Sequence, residues 1–480
     1  MTQKAQLIQE KLGHSSDVVT RHVHLESGQM AVIVFLDGLV DKELLEKLIL
    51  PWLLQEGKQS VSSERLEKEL PVSGLKLETQ QHLVVDAVLS GQAVLIVQQL
   101  KPYFLISIPK WTQRNPDAPA IESTVKGTRE GFVETLSVNL SLVRRYLKDP
   151  RLTVEQISVG SLSQTKVAIL YVREIVNPEV LDEVRQRLGR IETDTILASS
   201  QIEQWIEDNG WSIFPTIQVT ERPDVTAASL AEGKVAVFTD NSPFALLVPF
   251  TFIERLQNMD DYYEKWQVAM LIRFVRLVAF ALSLFVPGLY VALIHYNAAL
   301  IPTDLLISIM NSHAQIPFPV IWELLLMELT IEIFREAGIR LPKPLGQTVG
   351  IVGGIVIGEA AVQASLVSPI TLIVVALTAM ASFSAPNYSL AYSFRLLRFM
   401  FIGLSAVLGL YGFVFGVTII LIHLSSLNSF GVSYLAPFAP LRLRDWVDQL
   451  MLWPARWRNF RPAYLTTRSR KGDWKPLKRG

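Results

Sequence analysis

The chain has 480 residues, 50% of them hydrophobic, with a formal net charge of zero and a mean hydropathy of +0.30. That is too apolar for an ordinary soluble enzyme of this length, and the balanced charge leaves no nucleic-acid footprint. The absence of cysteine excludes disulfides, thiolate metal sites and a cysteine nucleophile.

The apolar excess is uneven. Residues 344 to 394 carry a single charged side chain, Glu359, and residues 399 to 441 carry none, whereas charges crowd residues 1 to 276. A soluble module followed by a membrane module is the expectation. The polar N-terminus has no apolar secretory core, so the first half should stay in the cytoplasm.

In chain order, residues 31 to 50 (AVIVFLDGLVDKELLEKLIL) predict a strand, a turn at Asp37-Gly38 and an amphipathic helix that Asp41 can cap. Residues 91 to 109 predict a hairpin closing the same unit. After a polar, proline-containing linker at 111 to 131, residues 132 to 147 read as a helix. Residues 167 to 188 and 233 to 249 then repeat the strand-helix opening and the hairpin close. Two related α/β subdomains follow, over 25 to 110 and 160 to 250.

Neither subdomain contains a P-loop, an HExxH motif or a nucleophile elbow, and nothing in them reads as catalytic. His14, His22 and His24 lack ligand partners at metal spacing and read as solvated surface. In Thr220-Glu221-Arg222-Pro223-Asp224, Pro223 sets a turn and Asp224 is expected to cap the next helix, with a contact role open for Glu221 and Arg222.

Asp260-Asp261-Tyr262-Tyr263-Glu264-Lys265-Trp266 places aromatic residues where a membrane belt would lie, ahead of a first span at 271 to 295. Residues 319 to 334 are apolar yet hold Glu323, Glu328 and Glu332. Carboxylates there face a cavity or a partner, or else lie on an interfacial helix.

Residues 345 to 366 repeat glycine at 346, 350, 354 and 358, a small-residue ridge suited to close helix packing. Thr348, Glu359 and Gln363 fall on roughly the opposite side of that helix. Further apolar runs cover 369 to 392 and 399 to 424. The tail after Leu441 has eleven Lys or Arg against three Asp, in company with Trp446, Trp453 and Trp457, and should lie on the cytoplasmic membrane surface. Five straight crossings would strand that tail outside. If 319 to 334 is re-entrant, the tail is inside but Arg395 and Arg398 are not, whereas a break within 399 to 441, giving a sixth crossing, would place the tail, Arg335, Arg340, Arg395 and Arg398 all inside.

Five stretches together carry a family likeness: IEDNGWSIFPTIQVTERPDV (206 to 225), DDYYEKW (260 to 266), ELLLMELTIEIFREAGIRLPKPLGQTVGIVGGIVIGEAAV (323 to 362), VSPITLIVVALTAMASF (367 to 383) and PNYSLAYSFRLLRF (386 to 399). From about residue 15 to 441 the chain resembles the A subunit of bacterial spore germinant receptors, the GerA family. The resemblance implies a spore inner-membrane protein that works with a B subunit similar to amino-acid transporters and with a C lipoprotein. It also implies A subunits that oligomerise and release monovalent cations when nutrients are sensed. Position 359 carries Glu where many relatives carry Gln.

The resulting expectation is an α/β soluble N-terminal half of two related α/β subdomains, joined to an all-α polytopic transmembrane C-terminal half. Its segments are 1 to 110, the linker 111 to 131, 132 to 255, an interfacial stretch 256 to 270, a transmembrane domain 271 to 424 and a basic tail 425 to 480. No enzyme activity and no cofactor are expected. The functional expectation is a homo-oligomeric cation channel component in contact with membrane lipid. Thr348, Glu359 and Gln363 would approach the ion path, and Gly346, Gly350, Gly354 and Gly358 would pack helix on helix. Glu328 and Glu332 would form a second carboxylate ring, or would pair with Arg335 and Arg340. A non-conducting signal-transducing scaffold and a secondary transporter are the rival classes.

Overall fold

A computed structural model describes residues 2–25, 28–55, 61–72, 74–109, 122, 126–340, 358–384, 388–449, 451–454, 457 and 460–469. Thr348, Gly346, Gly350 and Gly354 lie outside the described residues.

The N-terminal half holds two five-stranded sheets. The first comprises β1 (Val18–His24), β2 (Met30–Leu36), β3 (Leu75–Glu78), β4 (Gln92–Val97) and β5 (Tyr103–Ser107), in the order β1-β2-β4-β5-β3. The second comprises β6 (Leu152–Val159), β7 (Thr165–Val172), β8 (Gln218–Thr220), β9 (Val235–Thr239) and β10 (Ala245–Val248), in the order β6-β7-β9-β10-β8. The two orders are identical and every pairing is antiparallel.

Alternate residues of β2 point into opposite cores. Ala31, Ile33 and Phe35 pack with Leu45, Ile49 and Leu53, whereas Val32, Val34 and Leu36 pack with Ile8, Leu12, Val84 and Val88. A strand buried on both faces reads as one apolar run, which makes β2 and β7 conspicuous in the sequence. The flanking strands β1 and β6 are only partly buried, and their polar alternation hides them. Each unit therefore begins one strand earlier than residues 25 and 160. Asp41 does cap its helix, accepting from the backbone of Glu43 at 3.0 Å and Leu44 at 3.3 Å.

The C-terminal half is helical. Two of its helices, Trp266–His295 and Tyr392–Ser426, are long and apolar enough to cross a membrane, and Pro369–Ser382 is a shorter apolar helix. The run 399 to 424 is not one straight span. Gly409 adopts φ 58° and ψ −137°, which breaks the helix Tyr388–Ser426. On a continuous helix Phe401 and Phe413 would be about 18 Å apart along the axis, yet their ring centroids are 5.4 Å apart. The chain folds back into a helical hairpin. Gly412 and Gly416 permit it: a Cβ on Gly412 would overlap the Leu404 carbonyl, and one on Gly416 would come within 2.9 Å of the Phe401 ring.

Both ends of the hairpin rest on one loop of the second α/β unit. The Ser393 hydroxyl donates to the Ile213 carbonyl, and Ser212 Oγ lies 3.0 Å from His423 Nε2. Its tip reaches the far end of the leading helix Trp266–His295, where Tyr296 Oη donates to Ala406 O at 2.9 Å. Contacts of Phe280 with Phe394 and of Phe285 with Phe401 show that the leading helix and the first arm run in parallel. The helices Val320–Arg340 and Pro369–Ser382 run the opposite way, from Tyr290 near Thr371 down to Arg335 near Ser382.

The C-terminal tail returns to the second α/β unit. Asn177 Nδ2 donates to Thr466 Oγ1 at 2.6 Å, and Arg461 Nε donates to Ala231 O at 2.9 Å. The tail and the α/β units thus share one side of the helical half.

Candidate functional site

The helix Val320–Arg340 turns Leu324 and Met327 into a core with Val291, Val375 and Ile402. That orientation carries Glu323 and Glu328 inward, each 1% exposed. Neither is a solvated glutamate on an interfacial helix. Burying a carboxylate without compensation costs several kcal/mol, and each finds a different remedy.

Glu328 meets Arg398, with Nη1 2.6 Å from Oε2. Arg398 also donates from Nε to Ser283 O at 3.0 Å and from Nη2 to Ser283 Oγ at 3.2 Å. Glu332, less buried, receives Arg335 on one oxygen and Arg395 on the other, both at 3.1 Å. Arg335 is a partner the sequence reading names. Arg395 and Arg398 enter that reading only as markers of the inner membrane face, because a contact across the bundle leaves no trace in local spacing.

Among the described residues Glu323 meets no guanidinium. Its Oε1 lies 2.9 Å from His313 Nδ1, and its Oε2 accepts from Ser368 N at 2.9 Å and from Thr371 Oγ1 at 3.2 Å. Tyr290 Oη completes the cluster at 3.0 Å from Thr371 Oγ1 and 3.3 Å from His313 Nε2. Four segments are tied together at the end of the bundle far from the α/β units. Sequence reasoning missed His313, which sits in a polar stretch without a motif.

Glu359 and Gln363 are brought together one turn apart on the helix Gly358–Gln363, with Gln363 Nε2 donating to Glu359 Oε1 at 3.0 Å. Both are exposed, while Gly358 is buried, with room for ordinary contact against Leu372. Among the described residues Glu359 forms no ion pair.

A second cluster lies where the α/β half meets the leading helix. Asp224 is not the cap of its helix. Arg222 holds the N-cap position, Pro223 opens the first turn, and the Asp224 carboxylate turns back to Arg222. Arg222 donates from Nε and Nη2 to Asp224 at 3.0 and 2.8 Å, and from Nη1 to Asp260 at 3.3 Å. Tyr263 Oη donates to Asp224 Oδ2 at 2.7 Å.

Burial alone would raise the Asp224 carboxyl, but the Arg222 and Tyr263 bonds outweigh it and hold the group below its ordinary value. Next in the chain, Asp261 is 2% exposed and binds Arg273 at 2.9 Å and Arg276 at 3.0 Å. A continuous run of charged contacts therefore links the second sheet's helix to the first turns of the leading helix.

Residues 6–464 match the family described as Bacillus/Clostridium GerA spore germination protein. The chain is 39% identical over 465 residues to spore germination protein GerLA of Bacillus cereus, covering 96% of this chain and 94% of that one. It is 41% identical over 456 residues to spore germination protein KA of Bacillus subtilis (strain 168), covering 93% of this chain and 83% of that one. The solved N-terminal domain of the A subunit of the Bacillus megaterium spore germinant receptor GerK3 is 32% identical, with a TM-score of 0.41, over 52% of this chain and 95% of that one. On the extent of these matches, the chain belongs to the GerA family of spore germination proteins.

Proposed function

We propose that this chain is the A subunit of a germinant receptor in the spore inner membrane. It would act without catalysis, together with B and C subunits, in nutrient-triggered germination. Family membership over nearly the whole length carries this reading. The helical half supports a multi-pass arrangement. The leading helix runs out, Val320–Arg340 returns, Pro369–Ser382 returns again and the hairpin at Gly409 goes out and back. A membrane crossed on either side of the Gly409 break would leave Arg335, Arg395, Arg398 and the tail together on the α/β side.

Within that arrangement the subunit works as an oligomeric, monovalent-cation-conducting component, with Thr348, Glu359 and Gln363 towards the ion path. The observation favouring Glu359 is comparative. Glu328 and Glu332 are occupied by arginines and Glu323 by His313, which leaves Glu359 exposed and free of cationic partners among the described residues. A ring of such carboxylates attracts cations, whereas arginine-paired ones serve to hold helices together. The test is cation flux through the reconstituted complex for wild type, Glu359→Gln and Gly354→Leu. Reduced flux in Glu359→Gln supports the path. Unchanged flux in both variants defeats it, and loss in Gly354→Leu alone leaves a packing role and the scaffold reading.

A further inference from the structure

Three segments form a layer between the second α/β unit and the helices: residues 209–217, 250–263 and 427–449. Tyr434 Oη donates to Pro215 O at 2.9 Å, Phe252 N donates to Tyr434 O at 2.8 Å, and Gln257 Nε2 donates to Gln449 O at 3.1 Å. On the helix side of the layer, Phe214 is buried among Phe280, Phe394, Leu397 and Leu424. The interior of this layer is conventional, and its rim is not.

Trp211 is 97% exposed, three residues before the buried Phe214. Leu441 is 63% exposed, Leu443 66% and Trp457 63%, and the rings of Trp453 and Trp457 stand 5.1 Å apart. Arg442 and Arg444 alternate with the two leucines and form no ion pair among the described residues. The Arg444 guanidinium lies 4.0 Å over the Phe460 ring. Single exposed apolar side chains need no explanation, but several within one short stretch mark an interaction surface.

The alternation identifies the partner. Leucine and indole side chains set beside guanidiniums that form no ion pair among the described residues suit the boundary between acyl chains and phosphates, where each type finds its own environment. The same face of a second copy would bring one cationic rim against another. The layer also lies where the apolar helices begin, so a bilayer around those helices meets this rim without any rearrangement.

We infer that the rim formed by Leu441, Leu443, Trp453, Trp457 and Trp211 is a contact surface for anionic phospholipid headgroups, with Arg442 and Arg444 on the phosphates. This inference rests on the membrane reading above, and its test separates the two. The cysteine-free chain allows one fluorophore at a time to be placed, in the full-length protein, through Trp457→Cys, Leu162→Cys or Val414→Cys. Leu162 is 76% exposed at the β6–β7 turn, remote from the layer, and Val414 is 56% exposed on the returning arm of the hairpin.

In nanodiscs with brominated acyl chains, the Val414→Cys label should be quenched and the Leu162→Cys label should not. The Trp457→Cys label should be quenched, more strongly when phosphatidylglycerol accompanies phosphatidylcholine. Arg442→Gln and Arg444→Gln should each weaken the phosphatidylglycerol-dependent part by about fivefold. A silent Val414→Cys label overturns both readings. A quenched Val414→Cys label beside a Trp457→Cys label as silent as that at 162 overturns this inference alone, and quenching indifferent to headgroup charge overturns the assignment of the arginines.

Discussion

Arg398 Nη1 stands 2.6 Å from Glu328 Oε2, and both side chains are 1% exposed. Removing either partner strands a buried charge, at a cost of about 3–5 kcal/mol. Arg398→Ala and Glu328→Ala should therefore each lower the detergent melting midpoint sharply. An Arg398→Met, Glu328→Leu double variant should recover much of the loss, because the stranded charge is gone. Small, additive effects would show that the pair is weakly coupled and solvated.

The fold-back at Gly409 predicts proximity that a straight helix forbids. With Phe401→Cys and Phe413→Cys in the cysteine-free chain, a short thiol-to-thiol reagent should bridge the arms, because the native rings lie 5.4 Å apart. On a continuous helix the pair would be separated by about 18 Å and would not react. Gly409→Ala should also destabilise, by about 1–3 kcal/mol, from the strained backbone, and a Cβ there would come within 2.8 Å of Tyr296.

That hairpin marks the limit of what sequence reasoning could see. Central strands such as β2 and β7 announce themselves because both faces are buried, and the repeat of strand, helix and hairpin followed from their spacing. The edge strands β3 and β8 are too short to register. Glycines at 403, 409, 412 and 416 are equally compatible with close packing of a straight helix and with a sharp turn, and only the positive φ at Gly409 separates the two. Glu328 and Glu332 were legible as carboxylates that need partners. The partners themselves lie some sixty residues or more away, in an RLLR motif that local pattern assigns to the membrane boundary. At Asp224 the error was a shift along the helix: proline at N1 makes Arg222 the cap, which frees the carboxylate to bind it.

The tail should be structurally coupled to the second α/β unit. Lys234 Nζ lies 2.7 Å from Glu254 Oε1, and Tyr464 Oη donates to the same oxygen at 2.5 Å. All three side chains are buried. Tyr464→Phe removes one charge-assisted bond and should cost about 1.5–3 kcal/mol. Limited proteolysis of the tail should accelerate in this variant while the sheets stay protected. Unchanged cleavage would mean that the other tail contacts, such as Asn177 with Thr466, suffice to hold it.

The Arg222–Asp224–Tyr263 cluster predicts a pH dependence whose sign is fixed. The Asp224 carboxyl titrates below its ordinary value in the folded chain because Arg222 and Tyr263 donate to its charged form, more than offsetting burial. An unfolded aspartate titrates near pH 4. The folded state therefore binds this proton less readily than the unfolded state, so its stabilising contribution is complete above about pH 4 and disappears as pH falls through the lower folded value. Asp224→Asn lacks this charge at every pH. The melting-midpoint gap between wild type and Asp224→Asn should be wide at neutral pH and should narrow on acidification below about pH 4. Asp260 limits the size of the effect, because Arg222 keeps it as a second partner at 3.3 Å. Adding Asp260→Asn should therefore widen the neutral-pH gap by leaving Arg222 buried and unpaired. A gap constant across the titration would mean that Asp224 binds its proton equally readily in the folded and unfolded chain, so that the Arg222 and Tyr263 bonds do not favour its charged form.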